Sequence, residues 1–478
     1  MKSNRRDFLK ITGLGSLGIL AGCTSNREAE TVLNTIKEQA ERTRAQHFNM
    51  RGFAAPAIDV VRVGVSGLGM RGSGTTQRFA SLENVEVVAL NDVRPEMVER
   101  SKEAISDTHS PEGYSNGPDD WKRMCERDDI DLICIATPWH LHAEQAIYAM
   151  EHGKHVYCEL PMANTIEECW ELVETSERTQ KHCVQMSDSC HSGNAAVVLN
   201  MVREGIFGET IHAEGGYIHD LLDSHIFRRD TYHELWRLHE NIDRNGNLYP
   251  QHPLMPMAQI MDINNGDQMD YLISMQSNDF TMADKAREMA VEDDFWQPYV
   301  DSNYRGNMNT TLIRTHNGKT INVQHDVSTP RPGYRFHLLS GTKASYVSSP
   351  GRIGFDYYDG WISEDEYDAL LEQYTPRIIN VFNDMQRLTS ETDHLGHVYE
   401  RVNAMDWRLI DCLRNGLPVE VDVYDSVVTS AVTPLSEWSV ANGSMPITVP
   451  DFTGGSWKTN KRGMNVNLET GGGNTRIR

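Results

Sequence analysis

The sequence has no excess of positive charge. Asp and Glu outnumber Lys and Arg by 68 to 45 across 478 residues, a formal charge of −23. DNA and RNA are thereby excluded as partners, because no basic stripe is present to attract their phosphates. None of the eight cysteines forms a CxxC pair, so a structural zinc site is disfavoured. A disulfide framework is disfavoured too: Cys134, Cys158 and Cys183 sit within apolar, strand-like runs and read as buried free thiols. Internal repeats are missing, and so are long hydrophobic runs. The nearest candidate, Ile11–Ala21, is broken by three glycines and a serine and falls short of the about 20 residues that span a bilayer. What remains is an ordinary globular composition, 39% hydrophobic and 24% charged, with length for two or three domains.

The short run does have a meaning. Arg5 and Arg6 stand just ahead of it, and it closes on Leu20-Ala21-Gly22-Cys23. Paired arginines, apolar run and terminal cysteine, in that order, resemble a twin-arginine export signal with a lipobox. Residues 1–23 are therefore expected to be a lipoprotein signal, with the mature protein exported to the periplasm or cell envelope. Its membrane attachment would be a lipid on Cys23 alone. Residues 24–57 are polar, then Ala- and Pro-containing, and read as a tether with some helix.

From residue 58 to 191 the pattern is α/β. Short apolar runs such as "VRVGVSG", "VEVVALND", "DLICIAT", "HVYCELP" and "HCVQMSD" alternate with helix-like segments at βαβ spacing. This predicts an N-terminal Rossmann domain, a doubly wound parallel sheet. From 192 to 450 longer strands joined by turns, one at His316-Asn317-Gly318, predict an α+β domain with an open, mostly antiparallel sheet. Residues 451–478 are polar and Gly-rich and read as a tail, laid on the surface or loose.

"VRVGVSGLGMRG" places Gly67-x-Gly69-x-x-Gly72 directly after the first strand and ahead of a helix. Alone the motif is weak, but here Asp92 ends the second strand about 20 residues on, which completes the dinucleotide fingerprint. Gly67 permits the tight turn, Gly69 lets the backbone approach a pyrophosphate, and the helix N-terminus offers oriented N–H donors. Asp92 accepts from a ribose diol and repels a 2′-phosphate, so the expected cofactor is NAD. An exported protein must load NAD in the cytoplasm and then keep it. Such a captive cofactor has to be reset in each cycle, by a second substrate or by returning the hydride to the same molecule.

The motif "GLGMRG", together with "TPWHLH", "YAMEHGKHV", "HAEGGYIHD", "LWRL", "GNLYPQH", "MNTTLIRT" and "HLLSGTK", resembles glycoside hydrolase family 109. That family comprises the NAD-dependent α-N-acetylgalactosaminidases within the glucose–fructose oxidoreductase and inositol dehydrogenase superfamily. The resemblance runs from about residue 58 to 345. In the superfamily's dehydrogenases the strand matching "HVYCELP" ends Glu-Lys-Pro, and the lysine assists catalysis; here the residue is Leu160. The implied chemistry is redox-neutral. NAD oxidises the sugar C3 hydroxyl, a base removes the acidified C2 proton, the C1 substituent leaves, water adds, and the hydride returns.

The resemblance places Met70, Arg71, Asp92, Trp139, His140, Leu141, His142, Glu159 and Leu160 against NAD, with Tyr249 near the nicotinamide. It places Tyr217, Arg237, Tyr249 and His252 against the sugar. Tyr249 and His252 are the expected proton-transfer groups, with the choice of base open. His219 lies two residues after Tyr217 and shares its face if this is a strand, which adds it to Tyr217 as a catalytic candidate. His140 and His142 form an HxH that can chelate zinc, but both lie on the loop where the cofactor passes, so no metal is expected. Some positions depart from the family. Asp188 and His191 in "SDSCH" replace Asn and Tyr, and Asp188 would bring negative charge to the nicotinamide. "RPGYR" sets Tyr334, a substrate-binding candidate, one residue late, with a bulge at Gly333 able to restore its aim. The expected partner is a small-molecule or glycan substrate, and a homo-oligomer is compatible with the sequence. The rival readings are a sugar oxidoreductase of the glucose–fructose type and a non-catalytic, NAD-containing sugar-binding lipoprotein.

Overall fold

The computed structural model describes residues 23–191, 193–242, 244–357, 359–389 and 402–478, with the backbone alone for 23–29 and 387–389. The Arg5–Arg6 pair and the lipobox up to Gly22 lie outside the described residues. Cys23 opens a helix, Cys23–Ala40.

Six short strands form the first sheet: β1 (Val61–Ser66), β2 (Val85–Asn91), β3 (Glu112–Tyr114), β4 (Leu132–Ile135), β5 (His155–Cys158) and β6 (Cys183–Gln185). All pairings are parallel and the order is β3-β2-β1-β4-β5-β6, the doubly wound arrangement. Strands β4, β5 and β6 are buried throughout, as continuous apolar runs require when helices cover both faces. Helix Ile166–Thr179 starts where its sequence says, at a capping box between Thr165 and Glu168.

The second sheet has eight strands: β7 (Thr210–Ile218), β8 (Met269–Gln276), β9 (Asn309–Thr315), β10 (Thr320–Asp326), β11 (Phe336–Gly341), β12 (Ala344–Ser348), β13 (Gly351–Phe355) and β14 (Ile447–Thr448). Its order is β13-β12-β11-β7-β10-β9-β8-β14, antiparallel except where β10 runs parallel to β7. The turn expected at Asn317-Gly318 joins β9 to β10, with Gly318 at φ +84°.

Two helices join the sheets. Gln251–Ile260 is buried along its whole length and lies against β7, where a Cβ on Gly215 would come within 2.8 Å of Pro253 and 3.2 Å of Met257. Val423–Ala441 is buried from Val423 to Ser439 and hydrogen-bonds into the Rossmann sheet, where Ser426 Oγ accepts from the Gln185 amide. Among the described residues no helix is long and apolar enough to cross a membrane.

Residues 41–57 and the C-terminal tail are more deeply built in than their composition suggests. The expected tether is instead part of the folded body over residues 41–57. Arg51 is buried between Asp422 and Asp425, and Arg44 pairs with Glu177. The C-terminal tail is laid down rather than loose. Met464, Val466, Leu468 and Ile477 are buried, Ile477 bridges to Leu82, and Asp411 accepts from the amides of Gly473, Asn474 and Thr475. Polar composition misled here because a few spaced apolar side chains and the backbone amides together supply the tail's anchors. All seven cysteines from Cys125 to Cys412 are free and buried.

Candidate active site

At the carboxyl ends of β1 and β2 the glycine loop is shaped by contacts that only glycine tolerates. Gly67 has φ +84°, and a Cβ there would lie 2.7 Å from the Ala136 backbone. A Cβ on Gly72 would meet the Gly67 carbonyl oxygen at 1.7 Å, so the helix Met70–Ala80 sits directly on the loop. Gly69 is different. The nearest atom to a Cβ there is Arg94 Nη2 at 3.9 Å, which leaves open space in front of the backbone. The helix start carries no side-chain cap, so its N–H groups face that space. An anion the size of a pyrophosphate fits this cradle. The Asp92 carboxylate closes it, accepting from the Leu68 amide at 2.8 Å and from Arg94 Nε at 3.1 Å. Met70 and Val93 stand exposed on either side, apolar surface of the kind an adenine covers. These residues fit NAD.

Beyond the loop, Arg71 Nε donates to Glu159 Oε1 at 2.7 Å, and the Glu159 charge raises the Arg71 pKa above its ordinary value. Leu160 is buried within an apolar cluster with Trp139, Tyr217 and Tyr249. A lysine in that place would face aromatic rings. His142 is enclosed, with Nδ1 2.8 Å from the Pro161 carbonyl and Nε2 2.7 Å from the Thr137 carbonyl. It ties the loops after β4 and β5 together and has no nitrogen left for a metal or a cofactor. His140, by contrast, is exposed. Among the described residues no group of three His, Cys, Asp or Glu converges as a metal site.

The sugar-side candidates meet where β7 faces this end of the Rossmann sheet. Tyr249 stacks on Trp139 with ring centres 5.2 Å apart and 17° between planes. Tyr217 stacks on His252 at 5.3 Å and 11°, and meets the edge of Tyr249 at 4.6 Å. His219 follows along the strand, 5.0 Å from Tyr217 ring to ring. Arg237 is buried among four aromatic rings, those of Trp139, Tyr217, Tyr232 and Tyr249, at 5.1–5.9 Å. Its Nη1 donates to Tyr232 Oη at 3.0 Å, and among the described residues no carboxylate pairs with it. Burial opposes its charge, but the surrounding tyrosine oxygens outweigh that and keep it firmly protonated.

Electrostatics separate the two proton-transfer candidates. Burial pushes the Tyr249 phenol well above its ordinary pKa, and Glu159 adds to this, while Arg237 and Arg71 pull the other way. Burial also lowers His252 below its ordinary value, although Asp188 opposes it. At neutral pH Tyr249 is therefore a proton donor and His252 a neutral acceptor.

The three departures from the family pattern take these places. Asp188 lies between a guanidinium and an imidazole: Oδ1 is 2.9 Å from Arg335 Nη1 and 3.2 Å from His252 Nδ1. His191 turns away from the site and pairs with Glu420 at 2.8 Å. Tyr334 is not brought to the other sugar-side residues. Its hydroxyl donates to Gln324 Oε1 at 2.6 Å, and Gln324 is the register partner of Gly216, on the face opposite Tyr217 and His325. The possible bulge at Gly333 does not restore its aim; the next residue, Arg335, reaches the site instead. Arg335, Tyr232 and His325 were missed in the sequence. His325 pairs in register with Tyr217, a neighbour that only the pairing of β7 with β10 reveals.

Residues 61–187 match the family described as oxidoreductase family, NAD-binding Rossmann fold, and residues 192–459 match glycosyl hydrolase 109, C-terminal domain. An α-N-acetylgalactosaminidase from Bacteroides fragilis is 42% identical over 414 residues, covering 85% of this chain and 95% of the relative. A glycosyl hydrolase family 109 protein from Shewanella pealeana is 39% identical over 477 residues, covering 96% and 98%. Among solved structures, an oxidoreductase domain protein from Kribbella flavida aligns over 82% of this chain and all of its own, with TM-score 0.61 and 18% identity. Levoglucosan dehydrogenase in complex with NADH aligns over 82% and 99%, with TM-score 0.57 and 18% identity, a likeness of fold. Over nearly its whole length, then, the chain belongs to glycosyl hydrolase family 109.

Proposed function

We propose that this glycosidase cleaves terminal α-N-acetylgalactosaminides by a redox-neutral elimination and hydration. The observation that carries the reading is the apposition of His252, Tyr217, Tyr249 and the buried Arg237 beside the cofactor groove, with no carboxylate paired to Arg237 among the described residues. The two carboxylates at this place, Glu159 and Asp188, are each bound by an arginine. Neither is free to serve in the opposed acid–base pair of ordinary glycosidases.

Bound NAD would supply oxidation of the sugar C3 hydroxyl to a ketone, which acidifies the C2 proton, and the return of that hydride at the end; the C3 hydroxyl proton leaves to water in the first step and is regained from water in the last. The loop from Leu68 to Arg71 and Asp92 would hold its pyrophosphate and ribose, and Trp139, Leu160 and Tyr249 would border its ring. His252 takes the C2 proton on Nε2 as the C1–O bond breaks. Tyr249 gives its proton to the departing oxygen. Water then adds its hydroxyl at C1 and restores the Tyr249 proton, and the His252 imidazolium returns a proton to C2. Arg237 faces the oxygen that gains charge, which fits a cation with no protein carboxylate of its own.

Hydrolysis of a nitrophenyl α-N-acetylgalactosaminide in deuterated water tests this directly. Deuterium should appear at C2 of the released sugar, and release with an unlabelled C2 would end the proposal. We propose further that the chain is exported already folded around its NAD, as Arg5, Arg6 and the Cys23 lipobox suggest. Cys23→Ser should then move the NAD-loaded protein from the membrane fraction to the soluble one.

A further inference from the structure

Three separate parts of the chain converge on one carboxylate. Asp188 stands in the turn after β6, in the Rossmann domain. Arg335 lies just ahead of β11, in the second sheet, and His252 in the first turn of the buried helix between them. Asp188 Oδ1 is 2.9 Å from Arg335 Nη1 and 3.2 Å from His252 Nδ1. His252 Nδ1 is sealed from solvent and lacks a well-aligned hydrogen bond, so Asp188 is the acceptor it faces. Nε2 has no hydrogen-bond partner among the described residues. A neutral imidazole carries one proton, and a carboxylate on the Nδ1 side draws it there, leaving the lone pair on Nε2.

We infer that Asp188 is a positioning residue, held by Arg335, that fixes the ring and tautomer of His252 so that Nε2 is the nitrogen exchanging protons with the sugar. The sugar's part in this rests on the function proposed above; the tautomer does not. Other groups facing His252 are Tyr217 of β7, His219 just beyond that strand, Tyr249 ahead of the helix, and Glu159 just after β5. None of them lies at Nδ1 as Asp188 does. Burial works against ionisation of Asp188, but His252 and Arg335 outweigh it and hold the carboxyl well below its usual range. The Asp188 charge is thus present at every working pH.

Two charge-neutralising variants should act in opposite directions. Asp188→Asn removes the charge that favours the His252 imidazolium, so the acid limb of kcat/KM should move to lower pH by about one unit. Arg335→Gln removes a charge that disfavours it, so the limb should move to higher pH. Both variants should keep NAD, measured by its absorbance after denaturation. In the NAD-loaded full chain, ¹⁵N-histidine NMR should show His252 protonated at Nδ1, with this tautomer lost in Asp188→Leu and kept in Asp188→Glu. Limbs that both stay put or move together would overturn the inference. So would an Nε2-protonated wild type, or loss of NAD from Asp188→Asn, which would assign its effect to the cofactor. If no glycoside is turned over, the proposed function fails, while the NMR still decides the positioning role.

Discussion

The cofactor end and the sugar end of the groove are built on opposite plans. The glycine loop is local: six consecutive residues, Gly67 to Gly72, form the cradle, with Asp92 one strand away. The sugar end is assembled from Trp139, Asp188, Tyr217, Arg237, Tyr249, His252 and Arg335, which stand on segments nearly 200 residues apart. A local device can be broken by one atom. A dispersed one fails by degrees, according to what each side chain does.

The largest effect should therefore come from the loop. Gly72→Ala places a Cβ where it would lie 1.7 Å from the Gly67 carbonyl, a backbone atom that cannot swing aside. The variant should be purified without NAD and without activity, or fail to accumulate as folded protein. Gly69→Ala should fold, because its Cβ would have nothing nearer than 3.9 Å, yet lose NAD because the methyl occupies the space in front of the amides. If Gly69→Ala retains NAD as well as the wild type does, the loop is not the cradle and the comparison collapses.

Next come the sugar-end groups. His252→Ala and Tyr249→Phe should each lower kcat by roughly 10²- to 10⁴-fold, the usual contribution of a positioned acid or base, with NAD still bound. Arg237→Met should cost about 10²-fold in kcat, comparable to loss of one preorganised oxyanion donor. It should also push the Tyr249 phenol still higher, since Arg237 is one of two cations restraining it. Loss of NAD in these variants, seen in the absorbance of the purified protein, would show that the two ends are a single unit.

What could be read in the sequence follows the same division. The parallel sheet and the NAD loop were legible because each is fixed by residues near in the chain. The helix Gln251–Ile260 was not, because it is mostly apolar and carries Pro253 and Pro256, which argue against helix in isolation. Its burial between two sheets overrides that preference. Tyr334 and Arg335 show the limit most clearly. A one-residue shift in "RPGYR" exchanges which side chain meets Asp188, and only the register of the sheet decides it. The structure brings Tyr249 and His252 together, as their shared motif implied, yet their proposed division into donor and acceptor needed the positions of Glu159, Arg237 and Asp188 around them.

The smallest effect lies outside both ends and bears on how the others are measured. Burial pushes the Asp422 carboxyl up to about 6; Asp425 reinforces this and Arg51 opposes it. A carboxyl with a raised folded pKa binds its proton more tightly in the native state than in the unfolded chain. Its contribution is complete below the unfolded value near 4 and is lost as pH rises through about 6. Across that window it lowers stability by at most about 3 kcal/mol. Asp422→Asn keeps a side-chain acceptor for the Tyr424 amide at the helix start. The variant should therefore fold normally and show a flatter dependence of Tm on pH between 4 and 6. A Tm profile that keeps the wild-type slope would place the titration elsewhere. The sign matters for the active site, because burial moves the His252 limb to the acid side of its ordinary value. Acidification makes the Asp422 contribution more favourable, so activity lost on going below pH 6 cannot come from this carboxyl unfolding the protein. A limb that persists unchanged in Asp422→Asn then belongs to the groups around the sugar.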